Sequence, residues 1–174
     1  MSVASTWVIQ TARLRLTPVG YGDLPDLTRL KANPQAYARM LGGVRAPLQT
    51  AAELAEDIQD WGRYGFGMWT VRNQSHDFLG ITALMHRPDA RGVALRFAFF
   101  PQARGVGLAR EAASATLLYG HESRRLPELI AVTRVDNYAS RQVLSAIGMT
   151  ISQGFSREGD SFLVYKSVRL ADLT

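Results

Sequence analysis

The sequence predicts a single domain of the mixed α/β (α+β) class, in which one mostly antiparallel central sheet is flanked by helices. Three observations lead there. The 174 residues, 47% of them hydrophobic, supply one proper core and are too few for two typical domains. Hydrophobic periodicity alternates along the chain between a two-residue and a helical repeat, giving the order β-α-α-α-β-β-β-α-β-α-β-β. No repeat, low-complexity tract or linker divides the sequence, so residues 1–174 read as one unit.

The first strand is expected at Arg13-Leu14-Arg15-Leu16-Thr17, where polar and apolar residues alternate until Pro18 and Gly20. Asp23 then reads as a helix N-cap with Pro25 in the first turn, and Leu24, Leu27 and Leu30 form one apolar face up to Asn33-Pro34. A short helix follows to Leu41, where Gly42-Gly43 breaks it. Thr50-Ala51-Ala52-Glu53 has capping-box spacing ahead of Leu54, Ala55, Ile58 and Trp61, which sets a third helix. Met68 to Arg72, Phe78 to His86 and Val93 to Phe100 are strand-like runs separated by turn-forming residues, the pattern of an antiparallel meander. Beyond them the chain predicts a helix over 107–119, a strand over 128–135, a helix over 139–146 stopped by Gly148, and strands over 150–156 and 161–167.

Composition narrows the chemistry. With 0 cysteines there are no disulfides, thiolate nucleophiles or cysteine metal sites, so any thiol chemistry must come from a bound molecule. The first ten residues lack the charged start and apolar run of an export signal, and no later segment has the roughly 18 consecutive apolar residues of a membrane span. The expectation is a cytoplasmic protein without a membrane partner. A net charge of +5 and a pI near 10.0 suit an anionic ligand. The 18 arginines and 2 lysines are scattered, with no basic stripe and no interleaved aromatics, so a phosphate-bearing small molecule is expected and nucleic acid is not. Genomic base composition accounts for the arginine excess equally well.

The segment Phe99-Phe100-Pro101-Gln102-Ala103-Arg104-Gly105-Val106-Gly107-Leu108-Ala109-Arg110-Glu111-Ala112 reads as a strand passing through a glycine turn into a helix. A helix start leaves backbone N–H groups unpaired and partly positive, and glycines let a diphosphate approach the main chain. Arg104 adds a full positive charge. A tight strand-to-helix turn would use Gly105 and Gly107 in the same way without any ligand. No lysine follows the glycines as in a P-loop, and the third glycine of a dinucleotide-binding turn is missing.

Arg104-Gly105-Val106-Gly107-Leu108-Ala109 resembles the R-x-x-G-x-A acetyl-CoA loop of the GNAT superfamily, and Ala109-Arg110-Glu111-Ala112 resembles the A-x-E-A continuation of its RimJ/RimL-like branch. Thr11-Ala12-Arg13-Leu14-Arg15-Leu16 is similar to that branch's opening strand, Gly22-Asp23-Leu24-Pro25 to its first helix cap and Phe78-Leu79-Gly80-Ile81 to its central strand. Asp136-Asn137-Tyr138-Ala139-Ser140 through Gly148-Met149 resembles the branch's N-x-x-S-x-x-v-l-x-x-x-G-f signature. The resemblance implies an acetyl-CoA-dependent N-acetyltransferase that moves an acetyl group to a primary amine without a metal, with the acceptor a small molecule or a peptide N-terminus. It implies that residues 104–109 hold the diphosphate and that Phe99 and Phe100 give strand hydrogen bonds to the pantetheine. It also implies Asn137 as a partner of that arm and Ser140 as a hydroxyl close to the thioester sulfur, the two catalytic candidates, and it allows a homodimer. A hydroxyl there would hydrogen-bond or protonate the departing thiolate. Without a ligand, the same two residues read as an ordinary helix cap and first-turn serine.

Three positions depart from the family pattern. Where relatives often carry a glutamate and then a glycine, this chain has Ala94 and Arg96, and where many carry a tyrosine acid it has Leu144, which leaves Ser140 ahead of Tyr138 as the acid. His86 and Asp89 are the candidate replacement bases, each equally readable as a strand-end or turn residue. A missing base favours acceptors of low basicity, because only a neutral amine attacks. An α-amine of pKa about 7.7–8.0 is appreciably neutral near pH 7.5, whereas a lysine amine of pKa about 10.4 is neutral in roughly one molecule per thousand. The alternative function is a CoA-binding sensor or partner-binding module that has lost catalysis. The acceptor side is expected among the helices of residues 23–64, with Arg39, Arg45, Trp61 and Tyr64 as lining candidates.

Overall fold

In the computed structural model, which describes residues 6–173, eight strands join into one sheet. They are β1 (Ile9–Gln10), β2 (Leu14–Pro18), β3 (Met68–Asn73), β4 (Phe78–His86), β5 (Val93–Phe99), β6 (Glu128–Arg134), β7 (Thr150–Arg157) and β8 (Asp160–Val168), in the order β1-β2-β3-β4-β5-β6-β8-β7. Five helices accompany them: α1 (Leu24–Ala32), α2 (Pro34–Tyr37), α3 (Pro47–Tyr64), α4 (Leu108–Leu118) and α5 (Tyr138–Ala146). The ends of the expected unit, residues 1–5 and 174, lie outside the described residues.

Neighbouring strands are antiparallel except β5 and β6, which run parallel because α4 crosses over between them. Alternating side chains divide the core between the two faces of the sheet. One face packs Leu14, Leu16, Trp69, Leu84, Leu95, Phe99 and Ala131 against Ala112, Ala113 and Leu117 of α4 and Leu144 of α5. The other packs Met68, Ile81, Ala83, Ala98 and Phe100 against Leu27 and Leu30 of α1, Tyr37 of α2 and Leu54 of α3. A buried hydroxyl pair, Thr82 and Thr116 at 2.9 Å, fixes α4 to β4. Gly80 faces Phe99 across the β4–β5 ladder, and a Cβ on it would lie 2.2 Å from the Ala98 carbonyl oxygen, so only glycine permits this approach.

The α/β class, the single mixed sheet and the meander of β3 to β5 are as the sequence predicts, and β1 is an additional two-residue strand. Three helix details differ. Asp23 ends its side chain not on α1 but on the Gly20 amide at 2.8 Å, closing a 3-10 turn over Tyr21–Asp23. The helix expected to reach Leu41 stops at Tyr37 and continues as turns to Gly43. α3 begins at Pro47, with the Gln49 side chain accepting from the Ala46 amide at 2.8 Å, so Thr50 is an interior, fully buried residue and not the cap. After α4 the chain passes through a π-helical turn, Tyr119–Ser123, that no sequence signal announced. There the Tyr119 hydroxyl donates to the Gly65 carbonyl at 2.6 Å and its ring packs edge-on to Trp69.

Candidate functional site

The single parallel pair of the sheet creates the cleft. β5 and β6 share one register point, Ala94 opposite Ile130, and beyond it Leu95 to Phe99 and Ala131 to Thr133 line opposite walls of a cleft of about 800 Å³. The ladder fixes which amides face it. Phe100 donates its N–H to the Leu79 carbonyl at 3.0 Å, so by the two-residue alternation Ala98 and Arg96 also point their backbone groups at β4. The N–H groups of Phe97 and Phe99 therefore face the gap that β6 has left. Phe100 was expected to supply a strand hydrogen bond, but its amide is taken and its ring is buried on the α1 face, outside the cleft lining.

Below the strand end, the glycine turn leads into α4. Gly105 and Gly107 have φ of 89° and 80°, left-handed conformations that glycine adopts without Cβ strain, and Gly107 occupies the N-cap of α4. No side chain caps this helix, and the first amide bonded back across the N-terminus is Glu111 N–H to the Gly107 carbonyl at 3.0 Å. The amides of Leu108, Ala109 and Arg110 are left unpaired beside the partial positive charge of the helix start. Gly105, Gly107, Leu108 and Ala109 line the cleft together with Arg104 and Arg110, while Val106 turns outward. Arg104 reaches back: its guanidinium donates to the carbonyls of Gln35 at 2.6 Å and Phe99 at 3.2 Å, bracing the end of β5 against α2.

The turn is held from the outside by Arg13. Its guanidinium donates to the Val106 carbonyl at 2.8 Å and to Glu111 at 2.9 Å, while Glu111 also accepts from the Arg13 amide at 3.0 Å and the Thr11 hydroxyl at 2.7 Å. Burial pushes the Glu111 carboxyl upward, and the bonds from Thr11 and Arg13 outweigh it and hold the group below its ordinary value. Sequence reasoning placed Arg13 only in a strand. The clamp joins residues 98 positions apart, so no local pattern announces it.

Opposite the turn, α5 brings Asn137 and Ser140 to the cleft. The Asn137 side chain accepts from the Ser140 amide at 3.3 Å, the helix-cap geometry, so its carbonyl oxygen is in structural use. The Ser140 hydroxyl makes no hydrogen bond among the described residues and stands free in the lining. Leu144, where many relatives carry tyrosine, is buried in the core beneath it, and Tyr138 is exposed. The helix ends with Gly148 N–H on the Ser145 carbonyl at 3.1 Å and Met149 N–H on Leu144 at 3.0 Å, a Schellman stop that holds α5 in register with the cleft.

The remaining wall comes from α2 and the turns after it: Tyr37, Arg39, Met40, Leu41 and Arg45, with Arg87 and Arg96 from the sheet. Arg39 and Arg45 are where the sequence expected them. Trp61 and Tyr64 are not, because Trp61 is locked in the core with its indole N–H on the Met68 carbonyl at 2.9 Å, and Tyr64 packs on Phe66 and His86. Neither proposed replacement base reaches the cleft. His86 is exposed, with its ring edge-on to Tyr64 and tilted against Phe66. Asp89 is bound by Arg87 at 2.7 Å and Arg91 at 3.2 Å, with the hydrogen bonds from Arg87 the main cause that holds its carboxyl down to about 2. Among the described residues Asp136 is the one carboxylate in the lining, and Arg39 pairs with it at 2.9 Å. Among the described residues no group of three or more His, Asp or Glu side chains is placed to hold a metal ion, and no helix is long and apolar enough to cross a membrane.

Comparison with known proteins places this geometry among relatives. The Acetyltransferase (GNAT) domain family matches residues 13–150. The FsC-acetyl coenzyme A-N(2)-transacetylase of Aspergillus fumigatus is 25% identical over 171 residues, which span 92% of this chain and 72% of that protein. The crystal structure of an acetyltransferase from Agrobacterium tumefaciens superposes with a TM-score of 0.80 at 25% identity, covering 92% of this chain and 93% of that one. A spermidine N-acetyltransferase from Vibrio cholerae, solved with CoA and spermine, shares the fold with a TM-score of 0.79 at 15% identity, over 94% of this chain and 100% of that one.

Proposed function

The chain belongs to the GNAT acetyltransferase family, and from that premise we propose that it transfers the acetyl group of acetyl-CoA directly to a primary amine of low basicity, such as a peptide N-terminus, in the manner of the RimJ/RimL-like branch. The observation that carries this reading is the opening between β5 and β6, which leaves strand amides at Phe97 and Phe99 pointing into the same cleft as the unpaired amides of α4. Left-handed glycines at 105 and 107 leave no Cβ in the way of a diphosphate. These residues fit acetyl-CoA: amides 108–110 for the diphosphate, Phe97 and Phe99 for an amide-bearing arm, and Ser140 beyond it.

Acetyl-CoA bound there supplies a thioester, a carbonyl carbon open to attack with a thiolate as leaving group. The chain's own contribution is mostly placement. Two strand amides and a fixed helix start hold the acyl carbon in one position, so an amine entering beside α2 meets it in near-attack geometry. As the C–N bond forms and the C–S bond breaks, the free Ser140 hydroxyl donates toward the sulfur and lowers the cost of charge developing there. Among the described residues no free carboxylate or imidazole lines the cleft, so the proton of the attacking amine leaves to water, and acceptors already neutral near pH 7.5 react faster.

The test is release of thiol on mixing acetyl-CoA with matched peptides that present either an α-amine or a lysine amine. The α-amine peptide is expected to react faster, and Ser140→Ala is expected to lower kcat about 10- to 100-fold with little change in the KM of acetyl-CoA. Faster lysine acetylation would reject the acceptor preference. Tight acetyl-CoA binding without turnover on any amine would reject the enzyme reading in favour of a CoA-binding sensor.

A further inference from the structure

The proposed reaction leaves one charged residue of the cleft without a task. Six arginines line it, Arg39, Arg45, Arg87, Arg96, Arg104 and Arg110, against the single carboxylate Asp136. Three of them are neutralised: Arg39 by Asp136, Arg45 by Glu53 and Arg87 by Asp89. Arg104 and Arg110 flank the glycine turn and the start of α4, where phosphates belong. Arg96 stands apart from both groups.

It lies three residues before Phe99 on β5, about 10 Å along the strand from the end where the turn begins. It also projects from the opposite face to α4, because Ala98 and Phe100, which share its side of the strand, pack against Leu27, Leu30, Tyr37 and Leu54. Half-buried in the wall beside α2, its guanidinium makes no hydrogen bond, ion pair or ring contact among the described residues. Burial lowers its pKa, Arg87 and Arg45 repel it, and the Asp57 carboxylate attracts it only through space. Its donors open onto the cleft with no protein partner among the described residues, and an oxyanion satisfies two of them at once in a bidentate pair.

We propose that Arg96 anchors an oxyanion carried by the acceptor, so that the amines acetylated here bear a carboxylate or a phosphate a few bonds from the reacting nitrogen. This rests on the acetyl-transfer reading of the cleft. The anion sits on the α1–α3 side and the amine projects into the gap between β5 and β6, toward the thioester. Polyamines are disfavoured on the same ground, since no unpaired carboxylate lines the cleft to receive a second ammonium group.

The experiment compares wild-type kcat/KM, per neutral amine, within two pairs of acceptors: diglycine against diglycinamide, and phosphoethanolamine against ethanolamine. The oxyanion-bearing member of at least one pair is expected to be favoured about 10- to 100-fold, the range of a charge-assisted hydrogen bond, and the pair that responds identifies the anion. Arg96→Met is expected to abolish that advantage through the acceptor's KM while leaving the KM of acetyl-CoA unchanged, and Arg96→Lys to retain part of it. Equal kcat/KM within both pairs overturns the inference, as does a rise in the KM of acetyl-CoA in place of the acceptor's. The wild-type comparison needs no variant, so misfolding of Arg96→Met does not blunt it. Silence toward all four amines and toward an α-amine peptide overturns the acetyl-transfer reading itself, whereas turnover of the peptide without anion preference sinks only the role of Arg96.

Discussion

On the face covered by α4 and α5 the cleft is built from main chain: two strand amides, a left-handed glycine turn and an uncapped helix start. On the face covered by α1 to α3 it is built from side chains, with Tyr37, Met40, Leu41 and three arginines arranged around Arg96. The first is stabilised by its own contacts, as Glu111 is held ionised by Thr11 and Arg13. The second is less fully satisfied: Arg96 has no partner among the described residues, and Asp57 has an oxygen without a hydrogen bond, 4.0 Å from Lys31. A site made of backbone binds a constant part of a ligand and tolerates little added negative charge at its glycines. One made of side chains can be retuned residue by residue.

The sharpest way to break this contrast is at Gly107. A Cβ there meets only the Arg13 guanidinium at 3.6 Å, so the position has room and its constraint is conformational and electrostatic. Gly107→Glu is expected to weaken CoA about 100-fold or more by calorimetry, because it puts a carboxylate at the anion site. Gly107→Ala is expected to cost about 1 kcal/mol of stability from the left-handed backbone while keeping affinity within severalfold. Undiminished binding by the glutamate variant would remove the main-chain site from the account.

Stability against pH separates the faces next. Burial, only partly offset by Lys31, pushes the Asp57 carboxyl up to about 6 from its ordinary 3.8. The folded state therefore takes up this proton before the unfolded state does. The resulting penalty is absent below about pH 4, grows as pH rises to 6 and is constant above it. Asp57→Asn is expected to raise stability at pH 7 by on the order of 2 kcal/mol in urea unfolding, with the gain vanishing near pH 4. Glu111 has the opposite sign. Its lowered carboxyl stabilises the fold above its unfolded pKa, and that contribution is lost as pH falls through the folded value. Glu111→Gln is expected to cost less than about 1 kcal/mol at pH 7, since the Arg13 pair is half exposed, and the cost shrinks toward acid. Parallel pH profiles for the two variants would contradict the division.

The same division explains what the sequence disclosed. β4 was legible to both ends because its largely apolar run stops at turn-forming residues, and α4 because glycines at 105 and 107 mark the helix start. Thr50 and Glu53 imitate a cap, yet Pro47 opens α3 a turn earlier, and the Glu53 carboxylate goes to Lys31 at 2.7 Å and to Arg45. The local pattern was satisfied by a tertiary ion-pair cluster that spacing does not encode. For the site, glycine turn and asparagine–serine spacing are local and were readable. The gap between β5 and β6 depends on a register between strands separated by a whole crossover, and the isolation of Arg96 depends on where every carboxylate ends up.

Central to the account is that amides left unpaired by the fold grip acetyl-CoA, and residue-resolved hydrogen exchange with and without CoA tests it most directly. Exchange at Phe97, Phe99, Leu108 and Ala109 is predicted to slow about tenfold or more on saturation, while Ala98 and Phe100, already bonded to β4, stay unchanged. Slowing confined to other strands, or none at these four amides with CoA demonstrably bound, would contradict it.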